Sequence, residues 1–91
     1  MSFYVYIIKS SVDESFYKGF SEKPVHRLLQ HNNGETQSTK HLIPWELVYV
    51  EEMLSKRDAL IREKNLKKAA RQRIEALILH TKNIVSQFTI G

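Results

Sequence analysis

Residues 16–32 read FYKGFSEKPVHRLLQHN, and within this stretch the chain passes from a strand pattern to a helix pattern. The short aromatic run Phe16–Phe20, interrupted by a glycine, is typical of a β-strand. Pro24 lies just inside the periodic segment that follows, where proline is favoured as a first helical residue, and Ser21 is a candidate N-cap. The stretch therefore predicts a strand followed by a helix from about residue 22 to residue 32.

The predicted helix places two polar side chains on one face, because Arg27 and His31 are four residues apart. Its apolar residues are expected to point toward the core instead: Val25, Leu28 and Leu29. Tyr17 precedes the helix on the strand. An arginine, a histidine and a tyrosine can therefore converge beside one end of this strand.

The first residues of the chain predict the partner of that strand. Phe3–Ile8 is a continuous β-branched and aromatic run, which favours a central strand covered on both faces. Residues 10–15 are expected to form a hairpin loop, so that the two strands run antiparallel. A register symmetric about this loop would form two cross-strand pairs, Tyr6 with Tyr17 and Tyr4 with Gly19. Both strands would then present their tyrosines on the same face of the sheet.

The second half of the chain adds one strand and two helices. Residues 35–43 are polar and aperiodic, which indicates a surface loop, and residues 46–51 follow as a third strand. Ser55 resembles an N-cap for a helix over 56–68, and a final packing helix is expected over about 70–86. The order β-β-α-β-α-α predicts an α+β fold, with a small three-stranded antiparallel sheet flanked by helices.

Composition limits the kinds of function that the chain can have. The 91 residues suit one domain, 1–91, with one site. The absence of cysteine excludes disulfides, thiolate zinc sites and cysteine nucleophiles. Only three glycines are present, so we expect no glycine-rich phosphate loop and no nucleotide cofactor. The chain shows neither a signal-peptide pattern nor a run of about 18 apolar residues, so we expect a cytoplasmic monomer without a membrane segment.

Positive charge is concentrated in one part of the sequence. The formal net charge is +4, from 14 Lys and Arg against 10 Asp and Glu. The stretch from Lys56 to Arg73 has eight Lys and Arg, opposed only by Asp58 and Glu63, so its net charge of +6 exceeds that of the whole chain. A basic surface of this kind is typical of proteins that bind nucleic acid, although a solvated helix face has the same composition.

Glu63 is an unusual residue within the predicted helix over 56–68. It falls at spacings of three and four from Ala59, Leu60 and Leu66, so its carboxylate lies on the apolar stripe. A carboxylate turned toward the sheet needs a partner, because an unpaired buried charge costs several kcal/mol. A salt bridge and a bound metal ion are the two partners to consider, and for an isolated glutamate the salt bridge is the more common.

Taken together, these residues resemble the GIY-YIG nuclease superfamily, and most closely its small, stand-alone bacterial members. The resemblance covers about residues 3–68, with the helix over 70–86 in keeping with the short members. It rests on the following residues: Tyr4-Val5-Tyr6, Tyr17-Lys18-Gly19, Arg27, His31-Asn32 and Glu63.

The resemblance implies a DNA endonuclease that hydrolyses phosphodiester bonds, with a role in DNA repair or processing. By position it implies these catalytic residues: Tyr6, Tyr17, Arg27, His31 and Glu63. Glu63 would also bind the single divalent cation, Mg²⁺ or Mn²⁺, and DNA would be the partner. The residues expected to contact nucleic acid are Lys18, Lys64, Lys67, Lys68 and Arg71.

The chain departs from the family pattern at several positions. Tyr4 and Val5 replace the glycine and isoleucine of the first signature triplet, and Lys18 replaces the isoleucine of the second. Phe20 stands where some members have a lysine. An inactive nucleic-acid-binding module of the same fold is therefore the alternative to an endonuclease, and a protein-interaction domain is a third hypothesis.

Overall fold

The computed structural model describes residues 2–88, in the element order that the sequence predicts. Three strands and three helices are present: β1 (Phe3–Ser10), β2 (Phe16–Ser21), α1 (Pro24–Asn32), β3 (Trp45–Met53), α2 (Lys56–Lys67) and α3 (Arg71–Ile78). Short 3₁₀ turns cover Lys40–Leu42 and Val85–Gln87. The predicted α+β class is confirmed. Within the described residues, no helix is long and apolar enough to cross a membrane.

β1 is the central strand of a sheet with the order β2-β1-β3, and both of its pairings are antiparallel. Its alternate residues belong to two separate cores. Val5 and Ile7 pack with α2 and α3 on one face of the sheet, whereas Tyr6 and Ile8 pack with residues of β3 on the other. Burial on both faces explains why the first strand lacks the alternation of apolar and polar residues.

The hairpin register differs from the symmetric one expected. Tyr6 lies opposite Gly19, and Ile8 lies opposite Tyr17, so the predicted pairing was wrong by two residues. The loop closes later in the chain than expected, because the backbone N–H of Ser10 donates to the carbonyl of Ser15 at 2.9 Å. A shift of two residues preserves the side of the sheet on which each side chain lies, so Tyr6 and Tyr17 still share one face.

Helix α1 begins at Pro24, two residues later than the expected start, and its buried face is the expected one only in part, since Leu28 packs against the core. Val25 and Leu29 are 40% and 56% exposed, whereas Pro24 and His31 are buried. Ser21 is not the N-cap: that position belongs to Lys23, and the Ser21 hydroxyl accepts a hydrogen bond from the Lys23 N–H. The helix turns His31 toward the sheet because its ring forms hydrogen bonds there with Tyr6 and Thr39.

Helix α2 begins at its expected cap, since the Ser55 hydroxyl accepts a hydrogen bond from the Asp58 N–H at 3.1 Å. Helix α3 is shorter than the expected helix over 70–86, because it ends at Ile78. Asn83 explains the early end. Its side-chain amide donates to the carbonyls of Val48 and Ile78, and its side-chain oxygen accepts from the Val50 N–H. These bonds fix the segment after α3 along the outer edge of β3.

Candidate active site

Tyr6 lies at the centre of the candidate site and crosses the neighbouring strand at a glycine. Its side chain is 1% exposed, and it lies opposite Gly19 in the sheet. A Cβ atom at residue 19 would lie 2.6 Å from the Tyr6 Oη atom, closer than such contacts allow. Only glycine therefore leaves room for the phenol to pass over β2.

His31 brings helix α1 to this phenol. The His31 ring is fully buried, and its Nε2 atom lies 3.0 Å from Tyr6 Oη. Its Nδ1 atom lies 2.8 Å from the hydroxyl oxygen of Thr39. The Tyr17 ring meets the imidazole edge-on, with 5.0 Å between the ring centroids. Two strands, one helix and one loop thus contribute to a single buried cluster.

Both members of the Tyr6–His31 pair are neutral near neutral pH. Burial and, to a smaller extent, the positive charge of Arg27 together lower the pKa of His31 from 6.5 to about 4. Burial raises the pKa of Tyr6 well above its usual value, with smaller contributions in that direction from Tyr17 and Glu63. Arg27 opposes that increase but does not cancel it. The resting pair is therefore a phenol and an uncharged imidazole.

The direction of the hydrogen bonds follows from the number of available donors. A neutral imidazole has one N–H and one acceptor nitrogen. If His31 donated from Nε2, the Tyr6 hydroxyl proton would have no acceptor, because no other acceptor among residues 2–88 forms a hydrogen bond with that buried oxygen. Tyr6 therefore donates to Nε2, and His31 Nδ1–H donates to Thr39. The Thr39 hydroxyl has an acceptor of its own in the Thr36 carbonyl, at 3.5 Å.

Thr39 is the residue of the cluster that the sequence did not indicate. It belongs to the segment expected to be an irregular surface loop, yet it is 1% exposed. The buried Trp45 holds this segment, because its indole N–H donates to the Thr39 carbonyl at 2.9 Å. A hydroxyl eight residues beyond a histidine has no periodic relation to it, so no local pattern could have identified this contact.

Arg27 lies beside the pair on the same helix. Its guanidinium donates to the side-chain oxygen of Gln30 at 2.9 Å and to the Thr36 hydroxyl at 3.4 Å. Its charge affects the pKa of both Tyr6 and His31, which places it close to the two rings. No carboxylate within residues 2–88 forms an ion pair with it. The guanidinium can therefore pair with an anion from outside the chain.

Glu63 lies on helix α2. Its side chain is 16% exposed and lies on the helix face that buries Ala59 and Leu66. Leu60, also expected on this face, is 44% exposed instead. The Glu63 carboxylate pairs with Lys67 at 3.5 Å, but the lysine side chain is 56% exposed. Because the charge of Glu63 also contributes to the raised pKa of Tyr6, the carboxylate lies within electrostatic range of the phenol.

The donor set for a metal ion is small. Residues 2–88 contain no group of three or more His, Asp or Glu side chains that could hold an ion between them. A single carboxylate is nevertheless compatible with Mg²⁺ or Mn²⁺, because such ions retain several waters and bind substrate phosphate oxygens. Glu63 fits this role, since its carboxylate is mostly buried and its only ion-pair partner among residues 2–88 is a solvent-exposed lysine.

The residues expected to contact nucleic acid differ in their exposure and in whether they already form ion pairs or hydrogen bonds. Lys64 and Lys68 are exposed and form no ion pair within the described chain. Lys18 is half-buried, and burial lowers its pKa. Lys67 pairs with Glu63. Arg71 donates to the Glu14 carbonyl at 2.8 Å and lies 4.5 Å above the Phe16 ring, so it supports the hairpin.

The chain is similar in sequence to a known catalytic domain and to several known proteins. Residues 2–75 match the GIY-YIG catalytic domain. The UPF0213 protein of Staphylococcus saprophyticus is 40% identical over 76 residues, which cover 82% of this chain and 92% of the relative. The UPF0213 protein of Clostridium perfringens is 41% identical over 76 residues, covering 82% and 81% of the two chains.

A solved structure of another UPF0213 protein has a similar fold. The solution NMR structure of the UPF0213 protein BH0048 from Bacillus halodurans superposes with a TM-score of 0.59 at 28% identity, covering 98% of this chain and 95% of that one. The domain match extends over most of the chain, and the two relatives are 40% and 41% identical to it over the aligned residues. The chain therefore belongs to the GIY-YIG family.

Proposed function

We propose that the chain is a divalent-metal-dependent DNA endonuclease that hydrolyses phosphodiester bonds. The observation that carries the proposal is the buried hydrogen bond from Tyr6 to a neutral His31, beside an arginine that lacks a carboxylate partner within residues 2–88. Hydrolysis of a phosphodiester needs a base for water, a cation for the phosphoryl oxygens and an in-line geometry. In the cluster, Tyr6 with His31 is suited to act as the base, and Arg27 is suited to act as the cation.

Tyr6 and His31 are proposed to act together as the general base. As Tyr6 Oη accepts a proton from the attacking water, its own proton passes to Nε2 of His31, 3.0 Å away. This transfer avoids a free tyrosinate, which the raised pKa of the buried Tyr6 disfavours. Thr39 holds the imidazole in the tautomer that leaves Nε2 able to accept. Tyr17 supports the ring from its edge and positions the water.

Arg27 is proposed to bind the scissile phosphate. The planar guanidinium can offer two parallel N–H groups to phosphate oxygens. Its existing bonds to Gln30 and Thr36 fix its position on the rim of the cluster. The attacking oxygen would bond to phosphorus as the bond to the leaving sugar oxygen breaks.

Glu63 is proposed to hold the divalent ion. When bound, Mg²⁺ or Mn²⁺ would neutralise charge on the phosphoryl and leaving oxygens. Lys67 would release the carboxylate, because its own side chain is 56% exposed and its ammonium would be solvated after release. Lys64 and Lys68, which are exposed on the same helix and just beyond it, would contact the DNA backbone.

Strand cleavage by the purified chain tests the proposal. The substrates are duplex, nicked, branched and single-stranded DNA, each with Mn²⁺ or with a chelator. We expect cleavage of at least one substrate in Mn²⁺, none in chelator and none by Glu63→Gln. Glu75→Gln, a matched change at an exposed glutamate of α3, should cleave like the unaltered protein. Cleavage in chelator, or undiminished cleavage by Glu63→Gln, would refute the proposed role of the metal site.

A nucleic-acid-binding module without turnover is the second candidate. The altered triplet residues Tyr4, Val5 and Lys18 favour it, as do Lys64 and Lys68, which form no ion pair in the described part of the chain. This candidate predicts salt-dependent DNA binding that is unaffected by Glu63→Ala and weakened when Lys64 and Lys68 are replaced by glutamine. Binding of this kind without cleavage of any substrate would favour the module over the enzyme.

A further inference from the structure

A second concave site lies away from the Tyr6–His31 cluster. A cavity of about 330 Å³ is formed by one residue of α2, three residues of α3 and two residues of the turn that follows α3. These helices cover the face of the sheet opposite to that of Tyr6. The lining residues are Arg62, Arg73, Ala76, Leu77, His80 and Lys82.

The lining of this cavity contains basic residues and no acidic ones. Arg62 is already neutralised, because its Nε atom lies 3.0 Å from a Glu51 carboxylate oxygen. The side chains of Arg73 and Lys82 have no ion pair and no hydrogen bond to any residue in the part of the chain that the structure describes. Two positive charges therefore face a concave surface without compensation.

The turn after α3 adds an oriented hydrogen-bond donor. His80 Nδ1 accepts a hydrogen bond from the backbone N–H of Lys82 at 3.0 Å. A neutral imidazole that accepts at Nδ1 carries its proton on Nε2. His80 therefore offers an N–H group, and the same bond fixes its position relative to Lys82. The backbone N–H of His80 in turn donates to the Leu77 carbonyl at 3.0 Å, which links the turn to α3.

We propose that this cavity binds a phosphate group, carried either by a small phosphorylated molecule or by a nucleic acid backbone. A guanidinium, an ammonium and an imidazole N–H together suit a compact anion with several acceptor oxygens. The volume is within the range of small-ligand sites, about 300 to 1,000 Å³. Ala76 and Leu77 would contact an apolar part of the bound molecule. The site shares no residue with the proposed endonuclease cluster and does not depend on it.

Two-dimensional ¹H–¹⁵N NMR of the whole chain tests the site, in a phosphate-free buffer without divalent metal. Titration with inorganic phosphate and with adenosine 5′-monophosphate should give saturable shifts at the amides of residues 80–82 and at the Arg73 Nε–H. Arg73→Gln and Lys82→Gln should each weaken binding about tenfold, which corresponds to about 1.4 kcal/mol. The matched changes Arg57→Gln and Lys56→Gln, at exposed residues outside the cavity, should leave the affinity unaltered.

Shifts that do not saturate, or that are the same in Arg73→Gln and Lys82→Gln as in the unaltered chain, would overturn the proposal. The dispersion of each variant's spectrum reports whether it is folded, and Arg73 and Lys82 are exposed, so we expect folded variants. Because no metal is present and no strand is cut, a failure of the endonuclease proposal would not change this result.

An oligonucleotide distinguishes the two sources of phosphate. A single strand of eight thymidines is added to the same samples. If it shifts the resonances of residues 80–82 and inorganic phosphate displaces it, the nucleic acid backbone is the ligand. If it shifts other residues only, while adenosine 5′-monophosphate saturates the cavity, the ligand is a small phosphorylated molecule. Each of these two outcomes supports the phosphate site.

Discussion

At residue 19 a side chain is excluded because the phenol of Tyr6 occupies its space. We expect Gly19→Ala to displace Tyr6 from His31 and to lower the free energy of unfolding by about 1 to 3 kcal/mol, as overpacking in a core does. Urea unfolding measures this. The control is the same change in Tyr6→Leu protein, where the contacting hydroxyl is gone and the penalty should shrink. An equal penalty in both backgrounds would show that the phenol does not cause it.

The hydrogen bond between His31 Nδ1–H and the Thr39 hydroxyl can be tested by substitution of Thr39. Thr39→Val keeps the shape of the side chain but removes its hydrogen bond. We expect the ¹⁵N shifts of the His31 ring to move toward the other tautomer, and cleavage to fall about tenfold or more, the loss typical of orienting partners. Thr39→Ser should restore both. Unchanged ring ¹⁵N shifts in Thr39→Val would contradict the assignment.

His31 also makes stability depend on pH. Its pKa is about 4 in the folded chain against 6.5 when unperturbed, so the unfolded state binds more protons between these values. The stabilisation is complete above about pH 6.5 and is lost as the pH falls toward 4. From this group alone, we expect the free energy of unfolding to be about 2 kcal/mol lower near pH 5 than near pH 7.

Urea unfolding at the two pH values measures this difference, with His31→Asn and His26→Asn compared. His26 is exposed, so its variant should keep the full pH dependence of the unaltered chain. His31→Asn should lose about 2 kcal/mol of that dependence. The same slope in both variants would contradict the low pKa of His31.

Among the elements, β3 illustrates how side chains complete an edge strand. It pairs with β1 on one side only, and asparagines satisfy backbone groups on its other side. Asn32 bonds both backbone groups of Trp45, and Asn83 bonds Val48 and Val50. An edge that is occupied in this way is less available for pairing with another chain.

Replacing Asn83 should therefore loosen both β3 and the end of α3. We expect Asn83→Ala to lower the free energy of unfolding by about 2 to 3 kcal/mol, because several partly buried backbone groups lose their partner. Hydrogen exchange at the Val50 amide should accelerate in parallel. Asn65→Ala, at an exposed asparagine of α2, is the matched control and should change little. Unaltered exchange at Val50 would show that Asn83 does not hold the edge.

Local patterns predicted which elements exist and the faces of β1 and β2, but not the buried face of α1. The aromatic and β-branched runs gave β1, β2 and β3, and Pro24 and Ser55 marked the starts of α1 and α2. The buried face of α1 could not be predicted from hydrophobicity, because a hydrogen-bonded histidine replaces leucine there. The end of α3 could not be predicted either, because it is fixed by the Asn83 side chain, which bonds to Ile78 and to Val48 of β3.

For the whole molecule, the candidate site combines residues from both faces and several elements of the fold. Tyr6 lies on β1, and His31 and Arg27 lie beside it on α1. Glu63 lies on α2, and its charge affects the pKa of Tyr6. The resemblance to the family indicated these residues, because their spacing along the chain is part of its pattern. Thr39 lies outside that pattern, and only the folded loop shows that it completes the hydrogen-bonded chain.

The most direct test of this shared site is a double-mutant cycle on the rate of DNA cleavage in Mn²⁺. Tyr6→Phe removes the proposed base and Glu63→Gln removes the proposed metal ligand, and each should lower the single-turnover rate about 100-fold or more. Because residues that act as one unit are not additive, the double variant should be no slower than the slower single variant. Undiminished cleavage by either single variant, or fully additive losses in the double variant, would contradict a single site formed by Tyr6 and Glu63.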